Sequence, residues 1–197
     1  MRRDELEELH YITAVENVPS VLEHGILSHR RASKLKHRSV AMEEIQERRK
    51  AVVIPNGRPL HEYANLYINA RNKMMFKIHE LHADICVLRI SPDVLDLPGV
   101  VIADSNASSD YVRFAASPGG LRLINRDRVF AEYWTHPDDY IEQLRHGSEM
   151  CAEVLVPDRV APEYIMGAHV SCQQSLEALN AIAGTLATNG NRHLFFY

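Results

Sequence analysis

Two short segments carry side chains that could do chemistry together. EIQERRK, residues 44–50, sets Arg48 and Arg49 side by side in the most basic part of the chain. Far downstream, CAEVLVPDR places one carboxylate, Glu153, at the entry to an apolar, strand-like run. A cationic helix can hold a doubly charged phosphate ligand, and a lone carboxylate beside it can stabilise a positive charge that develops during reaction. Read singly, each segment also has a plainer meaning. Glu44 and Arg48 stand at i,i+4 on a solvated helix face, and Glu153 is an ordinary edge-strand acid.

Other chemistries find less support. Eleven histidines show neither HExxH nor HxH, and His79 and His82 have no convincing third ligand, so no metal is expected. No GxSxG elbow marks a serine hydrolase, and GxGxxG and GxxxxGK[ST] are both absent. Cys86, Cys151 and Cys172 form no CxxC pair, and Cys151 reads as a buried structural thiol. In YINARNKMMF, Asn69, Arg71 and Asn72 read as turn formers and Met74–Phe76 as the core residues of a strand.

The elements that must position these groups form a mixed pattern. NVPSVLEHG, 17–25, reads as a helix capped by Asn17 and ended by Gly25. A basic loop over 29–39 and a helix over 41–52 follow. Strands are predicted at 65–69, 74–78, 86–90, 100–103, 153–156, near 169–170 and at 193–197. Helices are predicted over 135–146, capped by Thr135 and followed by Gly147, and over 173–186. This is one α+β domain, residues 1–197, without regular βαβ alternation. No run of 18 apolar residues suggests a membrane span, and MRRDELEELHYI lacks the apolar core of a secretory signal. The expectation is a cytoplasmic monomer. A net charge of −4 disfavours general nucleic-acid binding, yet eight Lys and Arg between Arg30 and Lys50 face only three acids, so a local anion site survives the average.

Four blocks in order, HYITAVENVPSVLEHGILSH, RSVAMEEIQERRK, LHEYANLYINARNKMMF and AEVLV, resemble the DarT family, bacterial toxins that ADP-ribosylate DNA bases. The resemblance implies an ADP-ribosyltransferase fold: two packed, mostly antiparallel β-sheets with peripheral helices and NAD in the cleft between them. It implies NAD as consumed substrate, thymidine in single-stranded DNA as acceptor, and a macrodomain antitoxin of the DarG type as partner. Guanine or RNA as acceptor, or a catalytically silent NAD- or nucleic-acid-binding module, are the alternatives. The family's catalytic arginine and glutamate fall on Arg49 and Glu153. Its NAD contacts fall on His10, Tyr11, Ile12, Thr13 and Ser20, with Arg49 among them. The chain reads HYIT where members often read YHIT, and ARNK where PRSP is commoner.

The loop over 106–153 corresponds to the family's DNA-carrying segment. Within it Arg113, Arg122, Arg126 and Arg128 are candidates for phosphates, and Tyr133 and Trp134 for stacking a base. Trp134 serves equally well as an apolar anchor for the loop. An arginine holds its protons too tightly to be an easy base, so Arg49 is expected to stabilise charge, with a proton-transfer role left open.

Overall fold

Alternation in the strands sets the architecture. In β4 (Ile85–Ile90) Cys86, Leu88 and Ile90 point to one face, and Ile85 and Val87 to the other. In β7 (Glu153–Pro157) Val154 and Val156 take the first face and Leu155 the second. Both faces therefore carry apolar side chains, and each needs a covering layer.

The computed structural model describes residues 1–197. Its remaining strands in the main sheet are β1 (Leu9–Ala14), β3 (Tyr63–Tyr67), β5 (Val101–Ala103), β6 (Phe114–Ala116), β9 (Ile165–Val170) and β10 (Thr188–Gly190). They run in the order β10-β9-β4-β1-β3-β7-β5-β6. β2 (Ile26–Leu27) and β8 (Arg159–Val160) make a separate antiparallel pair. On the first face, α1 (Val18–His24) and α7 (Gln173–Ala183) cover the largest core through Val18, Val21, Leu179 and Ala183. The second face is covered in two patches, one around Met75 and Phe195, the other around Ile54 and Leu60.

The expected two sheets are present as two four-stranded halves of one hydrogen-bonded sheet. The join is thin. β1 and β4 pair over six residues, and β3 and β7 over five, but β1 and β3 share only His10↔Tyr67. Beyond that pair, Tyr11–Ala14 and Tyr63–Leu66 have no partners across the gap. The strands part, and a wedge opens between the halves.

Several local expectations need correction. MMFKI is not a strand but the body of α4 (Lys73–Lys77). Asn72 Oδ1 accepts from the Met74 and Met75 amides, so a good N-cap overrides the apolar run. The helix predicted from Thr135 is α6 (Tyr140–Glu149), capped by Asp139, with Gly147 inside it. HLFFY curls into a 3-10 turn, Arg192–Phe195, capped by Asn191. The basic loop opens with a short helix, α2 (His29–Ala32). Asn17 does not cap α1; its amide donates to Thr13 Oγ1 and the Arg38 carbonyl, and its oxygen accepts from Arg38 N, tying the basic segment down. No helix is long and apolar enough to cross a membrane.

Candidate active site

Where β1 and β3 part lies a cleft of about 1100 Å³. Tyr11, Ile12 and Thr13 form one wall, Tyr63 and Tyr67 another, and α3 (Glu43–Lys50) closes the side. α3 is charged along nearly its whole length, and its one buried residue is Arg49. Such a helix has little hydrophobic reason to dock. What docks it is Glu153, the first residue of β7, fully buried and paired on one side with Tyr67 and on the other with Ala103. Glu153 is thus in the middle of the sheet, not on an edge.

Arg49 Nη1 and Nη2 donate to Glu153 Oε1 and Oε2 at 2.9 and 3.0 Å, a parallel fork that engages both carboxylate oxygens. The Ala107 amide adds a third hydrogen bond to Oε1 at 3.0 Å. Burial works against the Arg49 charge, but Glu153 outweighs it and raises the guanidinium above its ordinary pKa. Arg49 therefore stays a cation. The two groups are in direct contact, with Arg49 forming cleft wall and Glu153 enclosed behind it. Burial, followed by the Glu153 charge, pushes the Tyr67 hydroxyl well above its usual range, so it remains a donor.

The cleft is basic although the chain is acidic. Beside Arg49 stand Arg38, Arg48, Lys73, Lys77, Arg113 and Arg145, against Asp104, Asp110 and Glu149. His29 and His61 lie ring to ring at 4.1 Å within it. Burial lowers the pKa of both, and the nearby Arg49 charge lowers it further, so they are neutral near pH 7. Gln46 Oε1, His61 Nε2 and Ser148 Oγ belong to lining residues and are buried without a hydrogen-bond partner. Orphan polar atoms of this kind are rare in a finished core and suit a polar ligand.

The remaining expected residues divide. The His10 side chain is turned out of the cleft, toward Glu8 and the Ile68 carbonyl. Ser20 lies on α1, which packs against the opposite face of the sheet, and does not line the cleft. Of the six DNA-contact candidates only Arg113 lines it, ion-paired to Asp104 at 2.6 Å. Arg128, in α5 (Arg126–Val129), is taken up by Glu142 and Glu149, which fastens that helix to α6. Trp134 packs edge-on against Phe76 and Phe196, the anchor arrangement. Arg122, Arg126 and Tyr133 are exposed outside the cleft. Lys73, Lys77, Arg145, Tyr67 and the His29–His61 pair were not singled out from sequence. Lysines in an apolar run carry no local mark of a ligand site until the run is seen to be a helix beside a cleft.

The family model described as "DarT: ssDNA thymidine ADP-ribosyltransferase, DarT" matches residues 10–195. A Thermosipho africanus DNA ADP-ribosyl transferase–DNA ADP-ribosyl glycohydrolase fusion protein is 31% identical over 173 residues, covering 83% of this chain. The chain spans only 42% of that relative's length. Among solved structures, Thermosipho africanus DarTG in complex with ADP-ribose superposes with a TM-score of 0.83 at 26% identity, over 96% of this chain and 51% of that one. Thermus sp. 2.9 DarT in complex with ADP-ribosylated single-stranded DNA gives 0.83 at 23% identity, over 97% of both chains, a likeness of fold.

Proposed function

The chain belongs to the DarT family, and from that premise we propose that it transfers ADP-ribose from NAD to a thymidine base of single-stranded DNA, releasing nicotinamide. The observation that carries the reading is the buried fork of Arg49 on Glu153 at the wall of a basic cleft. NAD is a pyrophosphate and a DNA strand a polyanion, and the cleft's excess of cations attracts both.

Breaking the nicotinamide–ribose bond builds positive charge on the sugar. A fixed carboxylate next to that charge is worth about 2.7–4 kcal/mol when well placed. Glu153 is fixed by three hydrogen bonds and by two neighbouring strands. Because Arg49 stands between it and the cleft, the sugar reaches Glu153 only as the guanidinium gives up part of its contact. The thymine ring nitrogen bonds to the sugar carbon as the bond to nicotinamide breaks, and its proton passes to solvent water. Arg49, its pKa raised, does not take that proton as a free base; it stabilises the negative charge left on the thymine edge.

The fusion of transferase to glycohydrolase in the Thermosipho relative supports a further part of the reading. An enzyme that marks DNA works beside one that removes the mark, here a toxin paired with a macrodomain antitoxin. Labelled NAD offered with separate thymine- and guanine-bearing DNA and RNA oligomers tests the assignment. Label on thymine DNA alone is expected. Label on guanine or on RNA replaces the acceptor, and label on none removes the enzyme.

A further inference from the structure

Outside the cleft, Glu8, His10 and His169 bring one carboxylate oxygen and two imidazole nitrogens within 4.8 Å of one another. His10 Nε2 lies 3.0 Å and His169 Nε2 2.9 Å from the same atom, Glu8 Oε1. The three side chains are 9%, 11% and 18% exposed for His10, His169 and Glu8. Arg89 Nε holds the other carboxylate oxygen at 2.6 Å.

The second nitrogen of His10 decides what the cluster asks for. Nδ1 lies 3.3 Å from the Ile68 carbonyl, which can only accept. A neutral imidazole has one N–H and one lone pair. With the N–H on Nδ1, the lone pair of Nε2 is aimed at a carboxylate oxygen, a repulsive arrangement unless a proton or a metal ion stands between them. His169 offers the same nitrogen to the same oxygen, and its Nδ1 is buried without a partner.

We propose that Glu8 Oε1, His10 Nε2 and His169 Nε2 form a zinc site. Two histidines and a carboxylate are a common zinc donor set, with a fourth position left for water. The Ile68 carbonyl on His10 Nδ1 and Arg89 on Glu8 Oε2 supply the outer contacts that orient such ligands. The two separations from Glu8 Oε1, 2.9 and 3.0 Å, suit bonds of about 2.0–2.1 Å meeting near a right angle. No spacing rule finds this set, because Glu8 and His169 are 161 positions apart and meet only when β1 and β9 flank β4.

The site has a mechanical place in the fold. Across the sheet, Glu153 pairs with Tyr67, Tyr67 with His10, and His10 with Arg89. His10 is also the β1 member of the one pair joining the two halves. An ion on His10 would pin that seam two strand spacings, about 10 Å, from Glu153. Its role is to hold β1, whose next residues form the cleft wall, and not to enter the reaction.

The test uses the full chain, stripped with chelator and dialysed, then titrated with zinc sulfate alone. The expected result is one zinc per chain by elemental analysis, a higher melting temperature, and at least tenfold weaker binding in Glu8→Gln and in His169→Asn. Zinc not retained, or retained equally by both variants, overturns the proposal; the first outcome means that protons alone occupy the cluster. Should the variants fail to fold, cobalt(II) on the unaltered protein decides. A visible band without thiolate charge transfer supports a nitrogen–oxygen site, while a thiolate band or no band overturns it.

Discussion

Arg49 and Glu153, 104 positions apart in the chain, meet through two parallel hydrogen bonds of 2.9 and 3.0 Å with almost no solvent between them. Each is the reason the other is tolerable. A buried carboxylate in the middle of a sheet is costly alone, and so is a guanidinium on a helix with no apolar face.

That dependence predicts a non-additive pair. Arg49→Met or Glu153→Leu should each cost about 3–5 kcal/mol, because each strands a buried charge. The combination Arg49→Met with Glu153→Leu should cost less than either, since no charge is left unpaired. Urea denaturation of the three proteins checks it, and additive losses would contradict the coupling.

For activity, Glu153→Gln keeps the shape and removes the charge. The turnover number should fall by about 10²–10³, as for loss of one well-placed stabilising group, with little change in KM for NAD. Arg49→Lys keeps the charge and loses the fork, so it should retain more activity than Arg49→Ala. Equal loss in both would shift Arg49 from charge stabilisation to geometry or proton transfer.

Lys73 and Lys77 face the cleft from α4. If they meet strand phosphates, Lys73→Ala with Lys77→Ala weakens oligomer binding. It should also flatten the dependence of log K on log salt by about 0.7 per lysine. Fluorescence anisotropy at several salt concentrations measures the slope, and an unchanged slope removes them from the DNA path.

Acid should loosen the cleft. His29 and His61 have folded pKa values below the ordinary 6.5, so the unfolded chain takes up protons first as pH falls. Their stabilising contribution is complete above pH 6.5 and is lost as pH drops through the lowered folded values. The urea midpoint should fall between pH 7.5 and pH 5 in the native sequence and fall less in His61→Gln. Identical declines would show that other groups carry the effect.

Gly25 ends α1 at φ +84°, and a side chain there would put Cβ 2.2 Å from the Val160 carbonyl oxygen. Gly25→Ala should cost about 1–3 kcal/mol from the backbone alone and more if β2 is forced off β8. A melting temperature within a degree of the native value would show that the turn relaxes without loss.

Where residues act through local rules, the primary structure is readable. Gly25 closes a helix where a turn glycine should, and β4 and β7 stand where branched residues cluster. The Arg49 and Glu153 assignments came from motif order, since neither short segment specifies a partner so far along the chain. Local rules failed where two of them competed. At 72–78 a capping asparagine beat an apolar run, and at 135–149 Asp139 beat Thr135 for the start of α6. Lys73, Lys77 and Arg145 share a surface only because topology brings α4 and α6 to one cleft. Arg128, a phosphate candidate, is held by Glu142 and Glu149, and Trp134, for which stacking and anchoring are equally open from sequence, packs on Phe76 and Phe196, contacts that composition cannot reveal.

A β-sheet stitched at one residue pair behaves differently from one laced along its length. The ladder between the leaves is crossed only at His10 and Tyr67, so beyond that pair they are held by the apolar core they share and not by a row of backbone hydrogen bonds. On the proposed function, a hinge at that pair would let the cleft take cargo of unequal thickness, a dinucleotide before reaction and a nucleotide bearing its adduct afterwards.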